Sequence, residues 1–444
     1  MAEAPSARGV VRRIYANLGL LLSGRAAAGL ISLGYLAVAA RALGPRDYGV
    51  LVLVHAYATT VGGVVNFPGW HAVVRYGAQA AATRDGPRML RLLRLTGSVE
   101  LTAAAAAVAA AALLAPWLGP RLGWPAAAQA FATPYSLAVL ASARSTPAGY
   151  LQLKRRFDLL GLHNVVAPLV RLVGSVVAVA AGWGLVGFLS VWLTAALAEG
   201  AAMWLAGWWV ARRDLAAHRL LGSLRGVARE NPGLWRFMVA ANSDVTFGEL
   251  AGRVAPLAVG WILGPAAAGL YAVAQRGATV IAQPAQVLGQ AAYAELARLV
   301  AAGGGAAALR QALVRCIGVA LLSAIPVLAI LVLFAPQVAR LLAGRAFEGA
   351  AGTLVWLALA RTVLLAAPPM SAALVALGRP GLSVAANLAG SLGLLPLLVW
   401  LLMRLGLLGA GVQALVQAVV TAALLAAFAV RSTARAPPAI PEAA

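Results

Sequence analysis

Four arginines lie inside stretches otherwise too apolar to carry a charge: Arg25, Arg171, Arg276 and Arg361. An ionised side chain at bilayer depth is costly, so it faces a cavity or a partner. Neither Arg25 nor Arg276 has an acidic residue three or four positions away. A guanidinium presents a planar fork of N–H donors that matches phosphate oxygens. A cavity lined by these arginines would hold an anionic headgroup; the alternative is pairing of Arg25 and Arg276 with Asp244 or Glu249 across the bundle. Asp244 follows Asn242 and Ser243 in an apolar run, where it would either bind a coupling cation or proton or balance an arginine. Glu249 and Arg253 are four apart and could neutralise each other on one helix. Arg144 and Glu100 lie nearer span ends, within snorkelling reach of an interface.

Other chemistries find no support. The sequence has no Walker A glycine loop, GxSxG, HExxH or CxxC, so ATP hydrolysis and the familiar hydrolase and redox motifs are not expected. Cys316 is the sole cysteine, and His55, His71, His163 and His218 are scattered without ligand spacing. No metal, cofactor or catalytic residue is expected, and the chain reads as a non-enzyme. Asn164, Asn387, Gln283, Gln286, Gln290, Gln413 and Gln417 would contact sugar hydroxyls or bridge helices.

The elements that must position these groups follow from composition. The 444 residues are 62% hydrophobic and 11% charged, against about 25% charged in soluble domains. The solvent is therefore a bilayer. Twelve spans are expected, at 17–40, 48–67, 95–116, 126–150, 158–181, 185–211, 237–262, 266–292, 313–335, 350–377, 382–403 and 407–430. The run from Leu18 to Leu36 exceeds the roughly 7–15 residues of a signal core and reads as a retained first helix. Arginine and lysine crowd alternate loops, which places both termini in the cytoplasm. This asymmetry accounts for most of the +22 net charge without nucleic acid, and leaves basic loops against membrane lipids. Residues 68–94 read as an inside stretch with a short interfacial helix, and Trp204, Trp208 and Trp209 as an interfacial aromatic belt. Prolines within spans, among them Pro134, Pro168, Pro256, Pro326, Pro368 and Pro396, permit kinks.

The resulting organisation is an all-α polytopic membrane protein in two six-helix lobes. Residues 1–16 form a cytoplasmic tail, 17–211 the N-lobe, 212–236 a cytoplasmic linker, 237–430 the C-lobe and 431–444 a disordered tail. An internal repeat supports two lobes. Leu43-Gly44-Pro45-Arg46-Asp47-Tyr48-Gly49-Val50 returns 220 positions later as Leu263-Gly264-Pro265-Ala266-Ala267-Ala268-Gly269-Leu270. Gly-Pro suits a tight turn, and the Gly49 and Gly269 positions allow a helix to pack closely. Duplicated halves are a common plan for secondary transporters.

The segment Ala40-Arg41-Ala42-Leu43-Gly44-Pro45-Arg46-Asp47-Tyr48-Gly49 resembles the "A-R-x-L-G-P-x-x-Y-G" that closes the first helix of oligosaccharide flippases. These belong to the multidrug/oligosaccharidyl-lipid/polysaccharide exporter superfamily. Leu341-Leu342-Ala343-Gly344-Arg345-Ala346-Phe347 is similar to an outer-loop "LL-x-G-x-x-F" of the same proteins. The resemblance implies a multi-pass protein of the bacterial inner membrane. It would move an undecaprenyl-pyrophosphate-linked oligosaccharide outward by alternating access, for surface polysaccharide export. Its implied partners are that lipid-linked substrate, membrane lipids, and a polysaccharide polymerase with its chain-length machinery. Related lipid II flippases carry cavity arginines on helices one and eight, which Arg25 and Arg276 match by helix. Two rival readings remain open: a drug/cation antiporter of the same superfamily, which would use acidic cavity residues, and a membrane-embedded polysaccharide polymerase.

Overall fold

Proline and glycine decide where the apolar runs break. The computed structural model describes the backbone of residues 7–65, 69–215, 223–224, 226–281, 306–377 and 379–434; side chains are described from residue 24, apart from 240–251 and a few positions beside gaps or helix ends. Every regular element among the described residues is helical, because lipid leaves backbone groups no partner outside the segment itself. The chain forms two compact units, Met1–Leu43 with Leu53–Thr246, and Gly44–Val52 with Phe247–Ala444.

The first helix, α1 (Ala7–Val65), is interrupted at Gly44 (φ 70°). The expected interfacial helix over 68–94 is instead two elements, α2 (Trp70–Ala82) and the start of α3 (Gly86–Arg121). The boundary lies in Asp85-Gly86-Pro87. The Asp85 carboxylate accepts the Arg88 N–H at 2.9 Å, and Pro87 occupies the first turn, where a missing N–H is harmless. Arg88, Arg91 and Arg94 therefore ride on α3. At about 1.5 Å per residue α3 is about 54 Å long, well beyond the ~30 Å hydrocarbon core. Ala104, Ala107, Ala111 and Ala115 form its buried stripe.

The expected fourth span, 126–150, is not one helix. It runs as α4 (Ala126–Tyr135), a 3-10 segment Ser136–Ser142, and α5 (Ser145–Leu153). Pro134 and Pro147 flank the break, and each removes a backbone donor. Two antiparallel helices follow, α6 (Phe157–Ala180) and α7 (Leu185–Leu215). On α2 the residues Ala72, Val73, Tyr76, Gly77 and Ala80 are buried. Trp70 lies against Gly149, and Leu153 against Gly77. α2 and α5 thus run parallel.

Both ends close with an arginine in the left-handed region, Arg84 (φ 54°) and Arg155 (φ 57°). The N–H of the following residue reaches back five positions, Asp85 to Ala80 and Arg156 to Leu151, the hydrogen-bond pattern that glycine usually serves. A side chain there costs about 1–2 kcal/mol.

The short helix α8 (Val227–Glu230) and the start of α9 (Leu234–Leu263) are fastened to the first unit. Arg91 binds the Glu230 carboxylate with two N–H groups, at 2.7 and 3.1 Å. Arg88 donates to the Glu230 carbonyl at 2.7 Å and to Asn231 Oδ1 at 3.1 Å. Tyr76 donates its hydroxyl to the Pro232 carbonyl, and Arg75 lies over the Phe237 ring. Leu92, Val227, Leu234 and Met238 bury the apolar side of this joint.

The second unit continues with α10 (265–281), α11 (Ala306–Leu333) and α12 (Ala335–Ala343), then a 3-10 turn Arg345–Ala350. The expected tenth span is split into α13 (Ala351–Leu364) and α14 (Ala367–Ala376), and the eleventh into α15 (Pro380–Ser391) and α16 (Leu395–Leu405). Pro368 and Pro369 open α14 and Pro396 opens α16. By contrast Pro168, Pro256 and Pro326 sit inside unbroken helices. The last helix, α17 (Leu407–Ala434), packs Leu425 against Met370, Leu374 and Ala386. Eight helical stretches among the described residues are long and apolar enough to cross a membrane, with α13–α14 and α15–α16 each counted as one. The all-α polytopic fold expected from composition is the one observed.

Candidate functional site

In the first unit, five helical segments converge on Arg171 of α6. Its Nη2 lies 3.1 Å from His55 Nε2, and its Nη1 donates to the Tyr35 hydroxyl at 3.4 Å. The guanidinium stacks 4.6 Å from the Trp192 ring centroid and 5.6 Å from that of Tyr35. His55 Nδ1 and the Tyr135 hydroxyl are 2.8 Å apart, and the imidazole meets Trp192 edge-on. Tyr35, Tyr135 and Trp192 are buried. Arg171 Nε and Trp192 Nε1 are buried without a hydrogen-bond partner, as is the Ser175 hydroxyl one turn along α6. Among the described residues no carboxylate lies within ion-pairing distance of Arg171. Its charge is held by rings and neutral acceptors, through cation–π contact and hydrogen bonds to an imidazole nitrogen and a phenol oxygen. The cluster is positively charged overall and retains unused N–H capacity.

The sequence singled out Arg171 but not its partners. In the sequence His55 is one of four scattered histidines. Nothing in the spacing of residues 35, 55, 135, 171 and 192 announces a cluster, because five segments supply one member each.

Two other charges depart from their expected snorkelling. Glu100 is fully buried (0% exposed) and accepts the N–H groups of Ser145 and Thr146 at 2.5 and 2.8 Å. It caps the N-terminus of α5 from another helix, where orphan donors and the helix dipole favour a carboxylate. Arg144 forms an ion pair with Glu199 of α7, whose carbonyl lies 3.1 Å from His163 Nε2. Trp204 is part-exposed and its Nε1 donates to the Ala143 carbonyl. Trp209, 40% exposed, does have the exposure of an interfacial residue.

Arg25, on α1 of the first unit, is exposed. In the second unit Arg276 (α10), Arg361 (α13) and Arg253 (α9) are half-buried, and the charge of Arg361 is felt at buried Tyr271. The side chains of Asp244 and Glu249 lie outside the described residues, as do Gln283, Gln286 and Gln290. Asn387 donates to the Ser383 carbonyl. Gln413 donates to Gln417 and to the Leu394 carbonyl.

The two repeat turns meet within the second unit. Gly44 and Gly264 take φ of 70° and 84°, and Pro45 and Pro265 follow them. A side chain on Gly49 would overlap the Pro265 carbonyl, and one on Gly269 the Pro45 carbonyl. Tyr48 packs edge-on against buried Phe347, so the two sequence stretches read as family-like lie together.

A family model described as "Polysaccharide biosynthesis protein" matches residues 38–351. The inner membrane protein YghQ of Escherichia coli (strain K12) is 29% identical over 297 residues, 66% of this chain and 82% of that protein. The inward-facing conformation of a multidrug resistance MATE family transporter of the MOP superfamily superposes with a TM-score of 0.67 at 14% identity, over 94% of this chain and 96% of that one. A MOP superfamily transporter from Pyrococcus furiosus, described as having a binding pocket of reverse polarity, gives a TM-score of 0.57 at 14% identity, over 94% and 92%. At such identities the structural likeness establishes the fold.

Proposed function

The chain belongs to the polysaccharide biosynthesis protein family, and from that premise we propose that it is a flippase for an undecaprenyl-pyrophosphate-linked oligosaccharide. It is a multi-pass protein of the inner membrane with the transporter fold of the MOP superfamily. Residues 17–211 and 237–430 act as the moving lobes, with 212–236 as the cytoplasmic linker. The pyrophosphate enters from the inner leaflet and is held by Arg25 and Arg276, with Arg171 and Arg361 adding positive charge. The glycan occupies the cavity while the polyprenyl tail stays in lipid, and alternating access delivers the glycan outside for polymerisation.

One observation carries this reading. Among the described residues, Arg171 keeps its charge inside the first unit with neutral direct partners and an unused Nε–H. A buried guanidinium whose direct partners among the described residues are neutral, with the nearest acidic influence the more distant Glu199, attracts a phosphate and repels a cation, which disfavours a cationic drug as cargo. Asp244 and Glu249 serve in this scheme as coupling or charge-balancing groups beside Arg253.

The test is a strain lacking this chain, from which lipid-linked glycan and surface polysaccharide are quantified together. Complete repeat units accumulating on the inner leaflet, with loss of surface polymer, support the flippase. Unchanged lipid-linked glycan with altered sensitivity to cationic drugs overturns it in favour of the antiporter. Single units accumulating on the outer leaflet point to a polymerase.

A further inference from the structure

We propose that the first unit carries a binding site for an anionic phospholipid headgroup at the ends of α5, α6 and α7, centred on Trp209, Arg155 and Arg213. The occupant is a resident lipid of the cytoplasmic leaflet, and the site is separate from the Arg171 cluster.

Trp209 is the platform. The Arg213 guanidinium stacks 3.8 Å from its ring centroid and that of Arg156 lies 5.4 Å from it. Arg212 stacks on Trp208 at 5.5 Å. A tryptophan with an exposed edge, flanked by guanidiniums, is suited to the headgroup level, where apolar ring and charged fork are both solvated. The alternating arginine pattern places this end of the helices in the cytoplasm.

The charge there is incompletely balanced. Arg156 is committed to Asp158 by three hydrogen bonds at 2.7–3.2 Å, and Lys154 to Asp214 at 3.0 Å. Arg155, Arg212 and Arg213 are exposed, and among the described residues none forms an ion pair with a carboxylate. Arg213 and Arg156 thus flank the Trp209 indole, Arg212 lies on the neighbouring Trp208, and exposed Arg155 adjoins Arg156 in sequence. A phosphodiester monoanion complements them in charge and in bidentate geometry.

The backbone supplies a second argument. Arg155 holds a left-handed conformation at the C-terminus of α5, in a chain that uses 47 glycines. Glycine would fit that position without strain. Arg84 ends the parallel helix α2 in the same conformation. Arginine thus stands at a position that glycine would fit in both helices, which puts a basic side chain at each of these two ends.

This argument also supplies a clean variant. Arg155→Gly removes a charge while relieving the backbone, so folding is not compromised. The full-length chain is reconstituted in nanodiscs of phosphatidylcholine, and binding of phosphatidylglycerol is measured by native mass spectrometry. Arg155→Gly and Arg213→Ala should each weaken phosphatidylglycerol binding about five-fold, the effect of one basic residue near a charged surface. Melting in pure phosphatidylcholine should be unchanged or slightly raised for Arg155→Gly. Arg121→Ala, which removes a comparable stack on Trp117 elsewhere, should leave binding unaltered. Undiminished phosphatidylglycerol binding in the Arg155→Gly/Arg213→Ala double variant overturns the proposal, as does an equal loss in Arg121→Ala. A patch that binds polyprenyl pyrophosphate but not phosphatidylglycerol also overturns it, in favour of an entry site for the cargo.

Discussion

Gly49 and Gly269 each lie against the carbonyl oxygen of the other turn's proline, Pro265 and Pro45. The reciprocity is what an internal two-fold produces: each turn presents the same glycine edge and the same carbonyl to its counterpart. Residues 44–52 are flanked in sequence by the first unit but pack within the second. Neither glycine has room for a methyl group, because the obstructing atoms are backbone and cannot rotate away.

Gly49→Ala and Gly269→Ala should each cost about 1–3 kcal/mol or more through overpacking. The expected readout is a lower melting temperature in detergent and reduced recovery of monodisperse protein. Gly29 on α1 has nothing within reach of an added methyl, so Gly29→Ala should be neutral or slightly stabilising. Equal behaviour of all three variants would remove the reciprocal contact as a structural determinant.

Removal of charge from the proposed cargo site should abolish function without abolishing folding. Arg25→Ala combined with Arg276→Ala should eliminate surface polysaccharide while leaving membrane expression near wild type. Full activity in that double variant would sink the assignment of these two residues. Arg171→Lys keeps the charge but loses the flat stack on Trp192 and the fork toward Tyr35 and His55. A roughly ten-fold loss of export is expected from it, an estimate that corresponds to about 1.4 kcal/mol.

Glu100 binds two backbone N–H groups with two oxygens, a task glutamine cannot share. The Glu100→Gln amide would set an NH2 against one of the α5 donors. The expected destabilisation is about 1–3 kcal/mol, the cost of a buried unsatisfied group. Thermal unfolding in detergent measures it; an unchanged melting point would mean that α5 finds another cap.

The joint between Arg91 and Glu230 is half-exposed, so its coupling should be modest, about 0.5–1 kcal/mol. Arg91→Ala or Glu230→Ala should speed tryptic cleavage after Arg229. The charge-reversed pair Arg91→Glu/Glu230→Arg should restore much of the protection. Cleavage that is insensitive to all of these changes would show that the apolar contacts of Leu234 and Met238 hold the joint alone.

What composition and pattern determined is the solvent and the class of element. A chain with mean hydropathy +0.86 has to form helices in a bilayer, and the Gly-Pro turns mark the repeat, because both signals are local. Four arginines within apolar runs are likewise visible, Arg171 among them. Tertiary structure decided what each charge does. Glu100 and Arg144 have similar sequence surroundings, yet one caps α5 and the other pairs with Glu199. The three departures from continuous spans, at 136–144, 365–366 and 392–394, lie beside prolines, yet Pro168, Pro256 and Pro326 break nothing; whether a span breaks is set by the packing around the carbonyl that a proline leaves without a donor. The Arg171 cluster draws Tyr35, His55, Tyr135 and Trp192 from four further segments. Such a site is a matter of helix rotation and packing, for which a one-dimensional pattern carries no register.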